Sequence, residues 1–221
     1  MVTVSVKAEK GIGMEGPLAR WYAGTTRKSL GEFQALARRI AGPLAPGSRV
    51  LEVAPGPGYF AVELARLGDY QVNGLDISQT FVDIARRNAA DARVEVDFQQ
   101  GNVAGMPFEN GRFDFLLCRA AFKNFAEPVL ALREMHRVLV PGGKAVIIDL
   151  RRDTSMESIR KAVSQMGLGL INRTITNVVF RTVLLKRAYT KGQFESFLSQ
   201  TDFQTVHFRE GLIDIEIEME K

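Results

Sequence analysis

The fold is decided by residues 50–65, which read VLEVAPGPGYFAVELA. This stretch begins with a short apolar run, interrupted only by Glu52, that suits a buried strand. A loop of alternating proline and glycine follows, and from Tyr59 onward apolar residues recur at helical spacing. Gly56 and Gly58 have no side chain, so the loop can adopt positive φ and let a ligand approach the backbone. A strand, a glycine loop and a helix in this order predict a ligand site at the helix N-terminus, where the helix dipole is positive.

The same alternation continues outward from this stretch. Segments with helical periodicity separate further short apolar runs, which are QVNGLDI (71–77), VEVDFQ (94–99), FDFLLC (113–118) and KAVIIDL (144–150). Near-continuous apolar strands between helices are typical of a parallel sheet covered on both faces. The runs at 203–208 and 212–219 alternate strongly and are joined by a short turn at 209–211, which favours an antiparallel pair. The sequence therefore predicts a doubly wound α/β core with an antiparallel end.

Composition places the chain among folded globular proteins. It has 221 residues, of which 46% are apolar and 24% charged, enough for a sizeable core. It has no apolar run of membrane-spanning length and no apolar stretch near its start of the kind an export signal needs. Its one cysteine, Cys118, cannot form an internal disulfide, and two histidines and one cysteine do not suggest a metal site. We therefore expect a cytoplasmic protein with no membrane partner and no metal.

We predict one domain made of four consecutive parts. After residue 150 the strand–helix alternation stops, and residues 154–188 read as two amphipathic helices separated by MGLGL at 166–170. Thr154 with Glu157, and Thr190 with Gln193, resemble capping boxes at helix starts. The predicted parts are a helical entry segment (1–45), a ligand-binding core (46–150), a helical lid (151–189) and a last helix with the antiparallel strand pair (190–221).

Charge is unevenly distributed near the end of the chain. Residues 151–191 carry nine basic and two acidic side chains, although the whole chain has a net charge of only +4. Such a run is most often the solvated face of a helix, but it is also typical of a strip that docks a polyanion. Both interpretations remain open at this point.

The glycine loop by itself fits more than one cofactor, because GPGYFA also matches a dinucleotide-binding fingerprint. Three further motifs decide the context, namely GLDIS at 74–78, GNVAGMPF at 101–108 and RVLVPGGKAVIIDL at 137–150. With them, residues 49–150 resemble the class I S-adenosylmethionine-dependent methyltransferases, including the small-molecule enzymes of the methyltransferase type 11 group. The resemblance implies a Rossmann-like, seven-stranded, mostly parallel sheet with an antiparallel last strand and a helical lid. It also implies S-adenosyl-L-methionine as cofactor and S-adenosyl-L-homocysteine as product.

The resemblance further implies roles for individual residues. Asp76 would bind both ribose hydroxyls, and Glu52 would orient the glycine loop or receive the cofactor's amino group. Ala54 stands where the family has its first glycine, and Asn102 stands where it usually has aspartate. The cofactor residues implied in this way are Glu52, Ala54, Gly56, Gly58, Asp76, Ile77, Asn102, Val103, Arg119 and Ala120.

The acceptor side is less well determined by the sequence. Methyl transfer from a sulfonium depends mainly on alignment in a dry pocket, so we assign no catalytic base. Lys123 and Asn124 are the candidates nearest the reacting groups, although Lys123 alone is more typical of a solvated rim charge. His136 and His207 are interpreted as structural or surface residues. The predicted substrate residues, with the segment 13–24 as part of the lid, are Trp21, Tyr22, Phe122, Lys123 and Tyr189.

We favour a small-molecule acceptor over a nucleic acid, and the acceptor atom and the oligomeric state stay open. Two other functions remain possible at this stage. One is a methyltransferase for RNA or another polyanion, docked through the basic segment 151–191. The other is a catalytically inactive protein that binds the cofactor and interacts with a partner, since fold does not dictate function.

Overall fold

The computed structural model describes residue 10, residues 13–165 and residues 185–221. Within these residues the helices are α1 (Gly16–Thr26), α2 (Leu30–Ala41), α3 (Tyr59–Ala65), α4 (Gln79–Ala92), α5 (Pro128–Val138), α6 (Met156–Gln165) and α7 (Lys191–Leu198). The strands are β1 (Arg49–Val53), β2 (Gln71–Asp76), β3 (Asp97–Gln100), β4 (Phe113–Arg119), β5 (Leu139–Leu150), β6 (Thr205–Glu210) and β7 (Asp214–Glu220). Short 3₁₀ turns cover Arg27–Ser29, Val103–Gly105 and Phe122–Asn124, and Leu185–Arg187 is a single helical turn.

The strands form one seven-stranded sheet in the order β3-β2-β1-β4-β5-β7-β6. Strands β1 to β5 pair in parallel, whereas β7 is antiparallel to both of its neighbours, β5 and β6. The strand order reverses between β1 and β4, which is where a doubly wound sheet opens a ligand crevice beyond its carboxyl ends. The predicted fold class, a mostly parallel seven-stranded sheet with a reversed last strand, is confirmed.

Helices cover both faces of the sheet. On β4, Leu116 belongs to a core shared with α5 and α7, while its neighbour Leu117 belongs to a core shared with α2, α3 and α4. Successive side chains of a strand point to opposite faces, so a strand buried on both faces must be apolar throughout. The apolar run FDFLLC is explained by this burial, and the Cys118 thiol lies inside it as a fully buried side chain.

The packing of one aromatic ring explains why two positions are glycine. Phe98 on β3 is fully buried, and a Cβ at Gly58 would lie 2.6 Å from its Cζ, while a Cβ at Gly74 would lie 2.4 Å from its Cδ1. The ring therefore packs directly on the backbone of β2 and on the start of α3. Gly58 keeps the helix close to the sheet, which is a packing role that the sequence motif alone did not reveal.

Local details differ from the sequence prediction at three places. Strand β3 begins at Asp97, later than predicted, and the turn between the last strands lies at 211–213, because 209 and 210 still pair with β7. The capping box of Thr190 and Gln193 is confirmed at the start of α7. The one predicted for Thr154 and Glu157 is wrong. The helix starts one residue later, with the Ser158 N–H donating to Ser155 Oγ at 3.0 Å.

The predicted lid lies only partly within the described residues. The MGLGL break and the second lid helix fall outside them, so they stay predictions. On α6, Ile159 and Val163 are buried and pack with Leu185 against the end of β5, whereas Met156 on the same helix is exposed. No helix among the described residues is both long and apolar enough to cross a bilayer.

We expect Gly74→Ala to lower the free energy of unfolding by about 1–3 kcal/mol, because the added methyl group overlaps the Phe98 ring. Gly24→Ala in α1 is the matched control. A Cβ there meets no atom within 4 Å, and alanine is favoured inside a helix, so stability should rise by roughly 0.5–1 kcal/mol. Urea unfolding measures both changes. Equal stabilities of the two variants would show that Phe98 does not require a glycine at 74.

Candidate active site

A cavity of about 120 Å³ lies at the carboxyl ends of β1, β2 and β4. Its floor comes from the loops that follow these strands, and its cover comes from α1 and α2. The volume is below the roughly 300–1,000 Å³ typical of small-molecule sites, because side chains of α1 and α2 close over it. The lining residues are Met14, Tyr22, Thr26, Phe33, Glu52, Ala54, Pro55, Gly56, Pro57, Asp76, Ser78, Phe81, Arg119, Ala120, Ala121, Asn124 and Phe125.

The carboxylate of Asp76 joins two loops of this cavity. It is almost fully buried, its Oδ2 accepts the Gly56 N–H at 2.9 Å, and its Oδ1 accepts the Ser78 N–H at 2.9 Å. Ser78 in turn caps α4 by accepting the Phe81 N–H on its Oγ at 3.1 Å. Hydrogen bonds from backbone N–H groups to a carboxylate are charge-assisted, so Asp76 fixes the glycine loop relative to the start of α4.

Glu52 is a second acid in the cavity wall, and its pKa is raised. Its side chain is 3% exposed, and its Oε2 accepts the Ala61 N–H at 3.1 Å. Burial raises the pKa of Glu52 to about 8, with a further rise from Asp76, while the Ala61 N–H and the Arg119 charge lower it. At neutral pH the side chain is therefore mostly protonated, and a cationic group bound beside it would favour its ionised form.

Two alanines of the cavity wall have left-handed backbones. Ala54 has φ 54° and Ala120 has φ 57°, and each is held by its N–H, which donates to Leu75 O at 2.8 Å and Ile148 O at 2.7 Å respectively. Such conformations cost about 1–3 kcal/mol each and persist where the surroundings impose them. Gly56 also has positive φ, but a Cβ there would meet nothing within 4 Å, so its open side faces the cavity.

Arg119 connects the end of β4 to α2 through its side chain. Its guanidinium lies over the Phe33 ring at 4.5 Å and forms an ion pair with Glu32 at 3.1 Å. This arrangement closes the cavity on the side of Glu52.

Comparison with known proteins shows that part of the chain is similar to methyltransferases. Residues 51–147 match the family model described as a methyltransferase domain. The chain is 37% identical over 102 residues to a demethylmenaquinone methyltransferase of Deinococcus radiodurans, covering 46% of this chain and 42% of that protein. It is 34% identical over 107 residues to a ubiquinone biosynthesis O-methyltransferase of Xanthomonas oryzae pv. oryzae, covering 48% and 44%.

A solved structure from Methanococcus maripaludis, classed with the S-adenosyl-L-methionine-dependent methyltransferases, superimposes with a TM-score of 0.73 at 20% identity, covering 97% of both chains. Residues 51–147 thus match a methyltransferase domain, and the superposition shows that the chain has the fold of that solved structure. The predicted resemblance to the class I S-adenosylmethionine-dependent methyltransferases is thereby confirmed. The chain spans less than half the length of the curated relatives described above.

The methyltransferase domain brings most of the predicted cofactor residues together. Those that line the cavity are Glu52, Ala54, Gly56, Asp76, Arg119 and Ala120, whereas Gly58, Ile77, Asn102 and Val103 do not line it. Asn102 and Val103 still lie next to Asp76, because the Gly101 N–H donates to Asp76 O at 2.9 Å. Asn102 Oδ1 accepts the Ala104 N–H at 3.0 Å and starts a 3₁₀ turn. Met14 belongs to the predicted lid segment 13–24, whereas the sequence motifs did not indicate the cover provided by Thr26 and Phe33.

The predicted acceptor residues divide into three groups. Tyr22 and Asn124 line the cavity, whereas Trp21 points away from it and is 66% exposed. Phe122 and Tyr189 are buried beside the cavity in an aromatic cluster, with ring centroids 6.0 Å apart. The Tyr189 hydroxyl is hydrogen-bonded to the Lys10 ammonium, and the Lys10 N–H donates to Asn124 O at 2.8 Å. The predicted entry segment (1–45) therefore contacts, through Lys10, two of the residues predicted to lie near the acceptor.

Lys123 is not a solvated rim charge. Its side chain is 7% exposed, its ammonium pairs with Asp149 Oδ1 at 2.9 Å, and it also donates to Ala120 O. The Lys123 N–H donates to Asp149 Oδ2 at 2.9 Å. The Lys123–Asp149 pair thus fixes the turn after β4 and supports the left-handed Ala120 from beneath. The Lys123 amine does not point into the cavity. Asn124 remains as the candidate that faces the cavity.

The two histidines lie outside the cavity. His136 on α5 is partly buried with its ring edge-on to Phe203, and His207 on β6 is exposed. Among residues 10, 13–165 and 185–221, no group of His, Cys, Asp and Glu side chains could hold a metal ion.

Asp149→Asn should destabilise the protein by about 3–5 kcal/mol, because it leaves a buried ammonium without its counter-charge. Lys123→Met should also destabilise, since it leaves the carboxylate with backbone N–H partners only. The double variant removes both charges, so its loss should fall short of the summed single losses by at least about 1 kcal/mol. Chemical unfolding of the four proteins gives this coupling. Strictly additive losses would contradict it.

The raised pKa of Glu52 predicts a pH dependence of stability. The pKa rises on folding from an ordinary 4.5 to about 8, so folding favours the protonated side chain. This contribution is fully present below pH 4.5 and is lost as the pH rises to about 8, at roughly 1.4 kcal/mol per pH unit. Glu52→Gln keeps the shape and removes the titration. Its stability relative to wild type should therefore increase steadily from pH 5 to pH 8 in urea unfolding, and parallel pH profiles would disprove the assignment.

Proposed function

We propose that this protein transfers a methyl group from S-adenosylmethionine to a small, apolar, quinone-type acceptor. The observation that carries the proposal is the pairing of the Asp76 carboxylate with the Gly56 N–H in a cavity at the strand-order reversal of a methyltransferase domain. The names of both curated relatives described above refer to quinones. These names support a quinone-type acceptor.

The residues of the cavity fit the cofactor. Asp76 presents a carboxylate suited to a pair of ribose hydroxyls, and the open side of Gly56 leaves room for close approach to the backbone. Glu52 supplies an acid that can ionise beside a cationic amino group, and Arg119 supplies a positive charge for a carboxylate. When bound, the cofactor supplies an electrophilic methyl group on a sulfonium.

The chain's own contribution is alignment and exclusion of water. Tyr22 and Phe33 on the cover, with Phe81 and Phe125 at the walls, contribute four aromatic rings to the cavity lining. A flat, apolar acceptor would bury well against these rings. In such a closed site the left-handed Ala120, held by Lys123 and by β5, keeps the turn between donor and acceptor in one position. This supports in-line displacement driven by proximity and desolvation.

The charges of the basic segment 151–191 favour a small molecule over a polyanion. Arg151 pairs with Asp153 at 3.2 Å and also with Glu210, and Lys191 lies 3.6 Å from Glu210. Part of the positive excess is therefore neutralised within the protein. Arg173 and Arg181 lie outside the described residues, so their contribution to a docking strip stays a prediction.

Asp76→Ala should weaken binding of S-adenosylhomocysteine by about 1.5–3 kcal/mol, roughly 10- to 150-fold, because hydrogen bonds to a charged group are lost. Isothermal titration calorimetry measures the dissociation constant. Asp97→Ala on the exposed side of the neighbouring β3 is the matched control and should bind normally. Thermal unfolding separates a binding defect from loss of fold.

Turnover is then assayed with reduced quinones, phenols and short RNAs as acceptors, with S-adenosylhomocysteine formation as readout. We expect product with the aromatic small molecules and none with RNA. An unchanged dissociation constant in Asp76→Ala would remove Asp76 from the site. Methylation of RNA alone would replace the proposed acceptor class.

A further inference from the structure

The outer face of α1 exposes two large apolar side chains. The inner face of the same helix is fixed by packing. Trp21 is 66% exposed and Leu18 is 48% exposed, and they stand three positions apart, on one side of the helix. The inner side is held in place by buried Ala19 and Ala23 and by the edge-on contact of Tyr22 with Phe81 at 5.9 Å. The exposed pair is therefore presented to solvent by a helix that cannot easily turn to bury it.

The charges around this pair are positive. Arg20, Arg27 and Lys28 are exposed, and no carboxylate among the described residues lies within ion-pair distance of them. The two acids that flank the region are already engaged. Glu15 accepts the N–H groups of Gln79 and Thr80 at the start of α4, and Glu32 pairs with Arg119. Glu15 keeps its negative charge, because these hydrogen bonds favour the ionised form. The three cations outnumber it, so the region keeps a net positive charge.

The same helix also borders the candidate active site. Tyr22 and Thr26 line the cavity, and Tyr22 follows the exposed Trp21 directly in the chain. Adjacent helical positions are separated by about 100° around the axis, so the outer face lies beside the side of α1 that covers the cavity. A surface that contacts the outer face would also lie close to the cavity.

We propose that the outer face of α1, with Leu18, Arg20 and Trp21, docks on the surface of an anionic phospholipid bilayer together with Arg27 and Lys28 of the 3₁₀ turn that follows the helix. Tryptophan concentrates at the membrane interface, and each cation near an anionic surface adds to binding. Binding of an amphipathic helix to such a surface grows with the apolar area that it buries and with its electrostatic attraction to anionic lipids. The sequence had led us to expect no membrane partner, because it contains no spanning segment.

This docking goes beyond the proposed function, and the two support each other. A quinone-type acceptor with an apolar tail would be dissolved in the bilayer, and docking through α1 would bring the cavity to it. The docking itself requires neither cofactor nor acceptor. It can therefore be tested separately from methyl transfer.

Trp21 makes the test direct, because it is the only tryptophan in the chain. The full-length protein is mixed with vesicles of phosphatidylcholine alone or with one third phosphatidylglycerol. We expect a saturable blue shift of the tryptophan fluorescence and co-sedimentation with the anionic vesicles, with binding at least tenfold weaker to the neutral ones. Neither readout depends on enzymatic activity.

Two variants and one control complete the design. Leu18→Ala/Trp21→Ala should reduce co-sedimentation at least tenfold, and Arg20→Gln/Arg27→Gln/Lys28→Gln should reduce it at least 50-fold. Lys144→Gln changes an exposed cation of β5 that lies near the amino ends of β1 and β4, at the opposite end of these strands from the cavity, and should bind within twofold of wild type. All substituted side chains are exposed, and thermal unfolding verifies their folds. Absence of the blue shift, or binding that the α1 variants do not weaken, would overturn the proposal whatever the outcome for methyl transfer.

Discussion

A single buried carboxylate holds the loops of the site in register. Asp76 accepts the N–H groups of Gly56 and Ser78 while its own carbonyl accepts the Gly101 N–H, so three chain segments after β1, β2 and β3 meet at one residue. The negative charge strengthens the two side-chain hydrogen bonds beyond what a neutral acceptor would give. The glycine loop and the N-terminus of α4 are therefore in place before any ligand arrives.

The wall of the cavity contains residues in energetically unfavourable states. Ala54 and Ala120 occupy left-handed conformations that cost energy, and Glu52 sits where its charged form is disfavoured. Packing and hydrogen bonds from β2 and β5 impose these states. Ala120 shows this most clearly, since the Lys123–Asp149 pair lies beneath it and its N–H is bonded to Ile148. A site of this kind is preorganised by the sheet, and its rigidity comes from residues that do not line the cavity.

Much of this arrangement could be predicted from the chain itself. Near-continuous apolar runs and helical periodicity predicted the strands and helices within residues 49–150, and the resemblance to the methyltransferases implied the role of Asp76. The roles of Gly58 and Lys123 could not be predicted, because they depend on Phe98 and Asp149, which are 40 and 26 positions away and carry no local signal. Trp21 was assigned to the pocket by its type, but the rotation of α1 turns it to solvent and brings Tyr22 inward.

The position of β7 between β5 and β6 affects how the chain acquires its sheet. During synthesis, residues 49–150 emerge before residues 205–220 and can assemble β1 to β5, while the free edge of β5 stays unpaired until residues 214–220 leave the ribosome. β6 is made before β7 but pairs only with it, so neither can join the sheet early. An unpaired edge is a template for association with other chains. In the interval before β7 closes the sheet, the open edge of β5 is thus available for pairing with other nascent chains.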